Sequence, residues 1–301
     1  MLTTPNIIPS SIIVRLFILL FFQFILSNFI ERLWNLIYTN EMMRSTLFYT
    51  TTNNLLMVIL YGLFCVVDKM SNPDWRLKGP IKSSVADSSL YGDAWLYFWR
   101  NTGCSWTIAS LLTYLEHGDL HGGFTIQGIE FSKFPKQAPG FPRFIMEILF
   151  MLLCIDFFMY WMHRAYHWGF LYKYIHSVHH EYHEPISVNA TSVHVVEIIS
   201  MTVVVFIVPK VLYEMIELHP LSIYCISFIT TVHVVLEHCG YDDYFEWLTF
   251  GVIPVSKMHF VHHQLSRVNY GFYFYFWDWL FGTKMSYEEM DKLRQKGKKE
   301  N

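Results

Sequence analysis

Charged side chains are scarce in this chain: they make up 16% of its 301 residues, against roughly 25% in soluble domains. Hydrophobic residues account for 53% of the chain and aromatic residues for 18%. So little charge argues against an ordinary soluble domain and favours an integral membrane protein. The net charge of −3 offers no basic surface for nucleic acid.

Cysteine is also sparse, and its five positions follow no spaced motif. We therefore expect small buried thiols rather than a disulfide framework. A cleavable signal peptide is lacking too, because the apolar run 12–30 is too long for a signal core and has no small-residue cleavage site. That run is predicted to stay in the protein as a membrane span.

Six apolar segments are each near the length that crosses a hydrocarbon core of about 30 Å. The third is the weakest, since Arg100 and Asn101 interrupt it, and an interfacial position or a later start is its alternative. The last two form a hairpin, and either is alternatively re-entrant. The segments are 12–30, 47–67, 95–115, 144–162, 195–215 and 221–237.

Orientation follows from the basic residues, because cytoplasmic loops are rich in Lys and Arg. These residues gather in loop 68–94, after the fourth span and in the C-terminal tail. Placing all three in the cytosol requires six spans with both termini inside. Lys298 and Lys299 then match a dilysine signal for retrieval to the endoplasmic reticulum, with a solvated basic tail as the alternative. Asn189 begins a glycosylation sequon that this topology leaves unmodified.

Histidine, by contrast, is concentrated: thirteen of the fifteen lie between His163 and His263. Eight fall in three boxes, one with the spacing H-x3-H and two with H-x2-H-H. Residues three and four apart share a helix face, so each box projects its imidazoles in one direction. Every box also falls on the cytosolic side of the predicted topology. The boxes are His163 and His167; His176, His179 and His180; and His259, His262 and His263.

A neutral imidazole is a transition-metal ligand, and an unperturbed histidine is mostly neutral at pH 7. One ion takes at most about four to six protein ligands, so eight clustered histidines predict two metal ions. An isolated pair is more often satisfied by a backbone carbonyl, but three boxes on one face favour metal. His238 and His194 are added as ligands because each adjoins the cytosolic end of a span, and His233 and His183 are further candidates. Three histidines are expected on the luminal side and unrelated to the site: His117, His121 and His219.

The order of the boxes after several spans resembles the fatty acid hydroxylase/sterol desaturase superfamily of integral-membrane di-iron oxygenases. The resemblance runs from about Asp156 to Lys284 and includes the flanks of the second box. The other supporting matches are Tyr160-Trp161, His238-Cys239-Gly240-Tyr241-Asp242, Asn269-Tyr270-Gly271, Trp277-Asp278 and Phe281-Gly282-Thr283.

We therefore expect an all-α integral membrane protein, with a bundle of about four to six transmembrane helices and a cytosolic helical cap that holds a histidine-rich di-metal site. Its expected parts are an N-terminal membrane region 1–143, a catalytic domain 144–285 and a cytosolic basic tail 286–301. The resemblance implies two irons held by histidines, dioxygen as co-substrate, and electrons from cytochrome b5 or an NAD(P)H-dependent reductase. The chain has no H-P-G-G haem-binding signature, so the electron donor is expected to be a separate protein.

Within the superfamily, the second box and the H-x-G-Y-D segment look most like C4-methylsterol oxidases and cholesterol 25-hydroxylase-like enzymes. The Asn269-Tyr270-Gly271 motif is closer to sterol C5-desaturases. The leading hypothesis is an oxygenase that hydroxylates or oxidises a sterol. A sterol C5-desaturase and a fatty-acyl or sphingolipid hydroxylase are alternatives. A histidine-rich metal transporter is the non-enzymatic alternative, although transporters place their ligands near the bilayer midplane.

Two further features carry open alternatives. Asp156 lies two turns before His163 on the same helix face, and it is expected either to orient a ligand or to pair with Arg164 or Lys173. The aromatic run 272–277 is expected to anchor a helix in the membrane interface or to line an entry for lipid.

Overall fold

Helices make up almost all of the regular structure. The computed structural model describes residues 9–71, 75–80, 88–117, 129, 131–241, 249 and 252–300. These residues form no strand, and the isolated bridge that joins two of them pairs Arg76 with Tyr241, so the all-α prediction is confirmed. The helices are α1 Pro9–Thr39, α2 Glu41–Arg44, α3 Thr46–Met70, α4 Ser88–His117, α5 Phe141–Tyr166, α6 Gly169–Tyr174, α7 Val195–Ile216, α8 Pro220–Glu237, α9 Ser256–Leu265, α10 Phe276–Leu280 and α11 Tyr287–Glu300, with 3-10 helices at Phe131–Lys133, His176–Glu181 and Ser187–Thr191.

Five of the described helices are long and apolar enough to cross a membrane, judged by length and composition. They correspond to five of the six predicted segments, which confirms the expected bundle of four to six spans. The exception is α4, which contains the predicted third segment but is more polar because Arg100 and Asn101 interrupt it. The five are Val14–Thr39, Phe48–Met70, Phe141–Tyr166, Val195–Ile216 and Pro220–Glu237.

At one end of the bundle, which we call the far end, α1 finishes against the segment 131–137 and the turn between α7 and α8. The Trp34 indole donates from Nε1 to the Pro135 carbonyl at 3.1 Å. Its ring packs edge-on against His219, with 4.6 Å between the ring centroids. His219 Nε2 lies 3.0 Å from the Gln137 carbonyl oxygen. His219 therefore has a structural role at the far end.

The opposite end, which we call the histidine end, contains the segments that follow α3 and α8. Arg76 links them, because its Nη1 donates to the Tyr241 hydroxyl at 3.2 Å, and its Nη2 lies 3.0 Å from the Pro185 carbonyl oxygen. Gly79 packs directly on α9, where a Cβ atom would lie 2.2 Å from the side chain of Gln264. The segment 75–80 therefore covers the helix that carries the third histidine box.

The polar helix α4 also connects the two ends. It runs beside α3, where Phe98 packs on Tyr61 with 5.4 Å between ring centroids. Asn101 donates from Nδ2 to the carbonyls of Thr191 and Val193 at 2.7 and 3.1 Å, and the helix also packs on α7. The segment 131–137 then lies at the far end. The six long helices thus alternate in direction, and the cytosolic placement of the histidine end stays a prediction.

A buried carboxylate aligns α5 with α8. Glu147 accepts the His219 backbone N–H at 3.1 and 3.2 Å and the Ser222 hydroxyl at 2.5 Å. Arg143 Nε lies 2.8 Å from Glu147 Oε1. A buried charge is stable only with such partners, so α5 is held against the turn that begins α8. The other ends of these two helices carry His163 and His238.

Cysteine labelling tests the separation of the two ends. Lys136 at the far end and Lys173 at the histidine end are both exposed. In sealed vesicles, a membrane-impermeant maleimide should label only one of the variants Lys136→Cys and Lys173→Cys, and detergent should expose the other. The parent chain, with its five free cysteines, gives the background. Equal labelling of both variants before detergent is added would contradict the placement of the two ends on opposite sides of the membrane.

Candidate metal centre

Nine histidines from four separate segments converge at the histidine end. His163 lies in the last turn of α5 and His167 directly after it, the second box forms a 3-10 helix, the third box lies on α9, and His238 follows α8. The nine form two groups: His163, His167, His176, His180 and His262 in the first, and His179, His238, His259 and His263 in the second. In each group the candidate ligand atoms lie within 4.8 Å of one another.

The first group brings Nε2 atoms together from three boxes. His163 Nε2 lies 3.1 Å from His176 Nε2. His262 Nε2 lies 3.1 Å from His167 Nε2 and 3.0 Å from His180 Nε2. A single member of the third box therefore completes a cluster that the first two boxes begin.

The second group has the same internal spacing. His263 Nε2 lies 3.1 Å from His179 Nε2 and 2.9 Å from His259 Nε2. His238 Nε2 lies 2.9 Å from His259 Nε2 and 3.4 Å from His179 Nε2. The adjacent histidines of the second and third boxes thus separate into different groups, because neighbours on a helix point about 100° apart.

The opposite ring nitrogens fix the tautomers. Nδ1 faces a carbonyl oxygen in His163 (Tyr270, 3.0 Å), and it faces the Glu197 carboxylate in His176 (2.8 Å). Carbonyl and carboxylate oxygens accept, so these Nδ1 atoms carry the proton and the Nε2 atoms present lone pairs. Nδ1 also faces a carbonyl in two further histidines, His238 at 2.8 Å and His262 at 2.7 Å.

Two lone pairs 3.1 Å apart repel each other unless a cation lies between them. Nitrogens bound to one divalent ion at about 2.0–2.1 Å, with angles of about 90–110°, are roughly 2.9–3.4 Å apart. The Nε2 separations in both groups, 2.9 to 3.4 Å, match that geometry. The residues present therefore fit two metal ions, and each group includes imidazoles whose far nitrogen is already bonded: His163, His176 and His262 in the first group and His238 in the second.

Burial keeps seven of these nine imidazoles neutral by lowering their pKa. It lowers the pKa of His167 to about 3, with positive charge on His176 acting in the same direction. Burial also lowers the pKa of His238 to about 4. The neutral form is the one that binds metal, so the ligands need not lose a proton at pH 7. The pKa is lowered well below its usual range, again mainly by burial, in His179, His180, His259, His262 and His263.

The structure does not bring His194 into either group. Its Nδ1 accepts the Val196 backbone N–H at 3.2 Å and so caps the start of α7. His233 Nε2 instead lies 2.7 Å from the Phe272 carbonyl oxygen, and His183 Nδ1 lies 3.5 Å from the His263 carbonyl oxygen. These three histidines therefore have other partners. The side chains of His117 and His121 lie outside the described residues.

Among the described residues Asp156 bonds no histidine directly and pairs with neither Arg164 nor Lys173, so its expected link to a ligand is an indirect one. It accepts the backbone N–H groups of Phe272, Tyr273 and Phe274 at 2.6, 2.8 and 3.2 Å. Asp278 accepts those of Tyr270 and Gly271, each at 2.7 Å. Together the two carboxylates hold the segment 270–274, whose Tyr270 carbonyl bonds His163. Asp156 thus positions a ligand through this backbone segment.

The segment 270–274 overlaps the aromatic run 272–277, which was expected either to anchor a helix in the membrane interface or to line an entry for lipid. The side chains from Phe272 to Tyr275 are buried, and only Phe276 among the first five is exposed. These four rings therefore do not anchor the chain in the interface. Phe272 instead lines a cavity that begins at the histidines and extends between α3, α7 and α8.

Two buried acidic residues beside the histidines were missed by sequence reasoning. Glu197 is fully buried, and its Oε1 lies 2.8 Å from His176 Nδ1. Glu237 is 1% exposed and lies 3.5 Å from both His233 Nε2 and His238 Nδ1. Both line the cavity. An acidic residue at the end of an apolar helix is costly in a membrane. The position of these two glutamates in apolar helices could therefore have identified them from the sequence as functional candidates.

The helical bundle and its paired histidine groups define a membrane protein with two candidate metal sites. Residues 148–283 match the family model described as fatty acid hydroxylase. This segment is a fatty acid hydroxylase domain, which confirms the superfamily predicted from the boxes. No solved structure matches the chain.

The curated relatives act on more than one class of lipid, according to their names. The chain is 31% identical over 172 residues to methylsterol monooxygenase 2-2 of Arabidopsis thaliana, covering 55% of this chain and 62% of that protein. It is 30% identical over 166 residues to C-4 methylsterol oxidase erg25 of Schizosaccharomyces pombe (54% and 55%). It is also 30% identical over 164 residues to very-long-chain aldehyde decarbonylase GL1-11 of Oryza sativa subsp. indica (52% and 59%). The match spans about three fifths of the length of these relatives.

Alanine substitution of two histidines tests the grouping. His262→Ala removes the nitrogen that meets both His167 and His180, so the purified full-length variant should bind about one metal ion fewer than the unsubstituted protein. His194→Ala is the matched control, because it removes the same side chain from outside both groups and weakens only a helix cap, by about 1 kcal/mol. Metal analysis of both purified variants is the measurement. Equal metal content in the two variants would refute the grouping.

Replacing Asp156 by asparagine tests the positioning of His163. The amide would place an NH2 group against backbone donors, so the unfolding free energy should fall by about 3 kcal/mol and metal content should fall with it. Asp291→Asn is the control, since that carboxylate meets only Arg294 and Gln295 on α11. Thermal melting in detergent and metal analysis report the two effects. An Asp156→Asn protein that melts and binds metal like the control would exclude this role.

Proposed function

We propose that this protein is a membrane di-iron oxygenase that hydroxylates or oxidises a sterol, using dioxygen and electrons from cytochrome b5 or an NAD(P)H-dependent reductase. The observation that carries the proposal is the convergence of nine histidines, eight buried and His167 half-buried, into two groups at one end of a cavity among the membrane helices. The methylsterol relatives support a sterol as the substrate. Both a C4-methylsterol oxidase and a sterol hydroxylase are of this type.

The five-histidine and four-histidine groups would each hold one iron. Bound there, the metal pair would supply the oxidising power needed to break an unactivated C–H bond with dioxygen. Nitrogen ligands alone do not select iron over copper or zinc, so the choice of iron follows the fatty acid hydroxylase domain.

The chain's own residues prepare this site for an apolar substrate. The Glu197 carboxylate orients the His176 ring, and the two aspartates orient His163 through the Tyr270 carbonyl. The cavity beside the histidines has apolar walls that include Met159 and Met201. A lipid would therefore leave the bilayer core for an apolar chamber and place one carbon beside the metal ligands, without exposing the site to bulk water.

Three other functions are compared with the proposed one. The aldehyde decarbonylase relatives support a long-chain aliphatic substrate as the second candidate, in line with a fatty-acyl or sphingolipid hydroxylase of the same superfamily. A metal transporter is disfavoured because the histidines lie at one end of the bundle, whereas transporter sites lie near the midplane. A sterol C5-desaturase would use the same residues and differs in its product.

The proposed location is the endoplasmic reticulum membrane, with the histidine end in the cytosol. The support for the orientation is the clustering of basic residues near that end, and the compartment stays the expectation drawn from Lys298 and Lys299 in the sequence. The side chains of these two lysines lie outside the described residues. Asn189 is buried in the 3-10 helix Ser187–Thr191, which leaves its sequon closed to glycosylation on either side of the membrane.

Reconstitution of the purified full-length chain tests the function. Metal analysis should approach two irons per chain, one for each histidine group. With cytochrome b5, its reductase and NAD(P)H, the protein should consume dioxygen only when a sterol is added, and mass spectrometry should detect an oxygenated or desaturated sterol. The His262→Ala variant should neither consume dioxygen nor form product. Tightly held zinc with no dioxygen consumption would contradict the proposal, and product formed from long-chain aldehydes or acyl lipids alone would favour the second candidate.

A further inference from the structure

The cavity does not end in apolar residues. Its inner part is lined by polar side chains from two membrane helices, among them Asn53 and Asn54 of α3 and Ser227 and Thr231 of α8. We call these four residues the polar band. Polar side chains inside a membrane bundle are costly, and they mark sites where something polar is bound.

The polar band lies well away from the histidines. Thr231 and Ser227 precede His238 by seven and eleven residues on α8. A helix rises 1.5 Å per residue, so they lie roughly 10 and 16 Å from His238 along the helix axis. The cavity lining on α7 gives a similar depth, because Phe206 is nine residues, or roughly 13 Å, beyond Glu197.

Apolar side chains separate the band from the histidines. Met57 of α3 lies one turn from Asn54 toward the histidine end, and Val234 of α8 lies one turn from Thr231 in the same direction. Met159 and Met201 line the cavity from α5 and α7. The chamber therefore has histidines at one end, a mainly apolar middle that also includes Thr202, and the polar band beside Phe206 at the other end, which fits a long apolar molecule with one polar terminus.

Part of the band is satisfied within the protein. The Thr231 hydroxyl donates to Asn53 Oδ1 at 3.1 Å, and Ser227 bonds the Tyr49 hydroxyl. These contacts couple α3 to α8, as polar pairs do in membrane bundles. The amide nitrogen of Asn53 and the whole amide of Asn54 have no hydrogen-bond partner among the described residues. Hydrogen bonding between α3 and α8 therefore does not explain why an asparagine stands at position 54 in the cavity wall.

We propose that the polar band binds the hydroxyl group of the substrate, so that the carbon oxidised at the histidines lies roughly 10–16 Å from that hydroxyl. The proposal rests on the proposed function and narrows it. In a sterol the hydroxyl is on the A ring, and the side chain is at the other end of the molecule. The side chain, rather than a methyl group beside the hydroxyl, then lies next to the metal ligands.

Substrate pairs that differ only in the hydroxyl test the proposal. Cholesterol and its deoxygenated analogue cholest-5-ene are added to the purified, metal-loaded full chain, and binding is measured by thermal stabilisation. A site built to bond a hydroxyl discriminates against the analogue that lacks it. Cholesterol should bind the unsubstituted protein about tenfold more tightly than cholest-5-ene, which corresponds to one buried hydrogen bond.

The variant Asn54→Leu should abolish that preference, so that cholesterol and cholest-5-ene bind it equally. Asn28→Leu is the matched control, because Asn28 is an exposed residue of α1 that bonds only the Phe24 carbonyl within its own helix. It should retain the preference. Mass spectrometry of the product from the unsubstituted protein should place the new oxygen on the side chain.

Two results would overturn the inference: equal binding of cholesterol and cholest-5-ene by the unsubstituted protein, or a product oxidised beside the hydroxyl. Its failure is distinguishable from failure of the proposed function. If the protein holds no iron or consumes no dioxygen, yet binds cholesterol preferentially in a manner that depends on Asn54, the function is wrong and the polar site stands. If sterols turn over without any preference for the hydroxyl, the polar site is wrong and the function stands.

Discussion

The rest of this structure depends on the direction in which the imidazole lone pairs point. Four ligand rings have their Nδ1 proton bonded to a carbonyl or carboxylate, so their Nε2 lone pairs face inward. Lone pairs at 2.9–3.4 Å from one another are favourable only around cations. The helix ends, the buried carboxylates and the segment 270–274 all serve to keep these rings in that unfavourable proximity.

The histidine centre could be predicted from the sequence because its histidines recur at helical spacings. Spacings of three and four residues place imidazoles on one helix face, and the 100° step between neighbours explains why His179 and His180 separate. His238 was predicted from its place at the end of a span. The bundle was predictable for a similar reason, since a run of apolar residues long enough to cross a membrane is visible without any tertiary information.

The remaining parts depend on contacts between segments far apart in the chain. Asp156 lies on the face expected for a ligand partner, yet its oxygens meet backbone N–H groups more than 100 residues away. A backbone donor has no side-chain signature, so no sequence pattern could reveal it. His194 adjoins a span end as His238 does, but its Nδ1 is taken by the first turn of α7. Glu197 was visible only as an acidic residue in an apolar helix.

The reliance of His163 on Asp156 has a consequence for the order in which the protein matures. The carboxylate is on α5, and the amides that it holds come after the third box, 116 to 118 residues later. Such a contact closes only after every intervening helix has been inserted. A chain stalled during biosynthesis would therefore lack the geometry to retain metal ions in the histidine groups, so metal content would report whether assembly is finished.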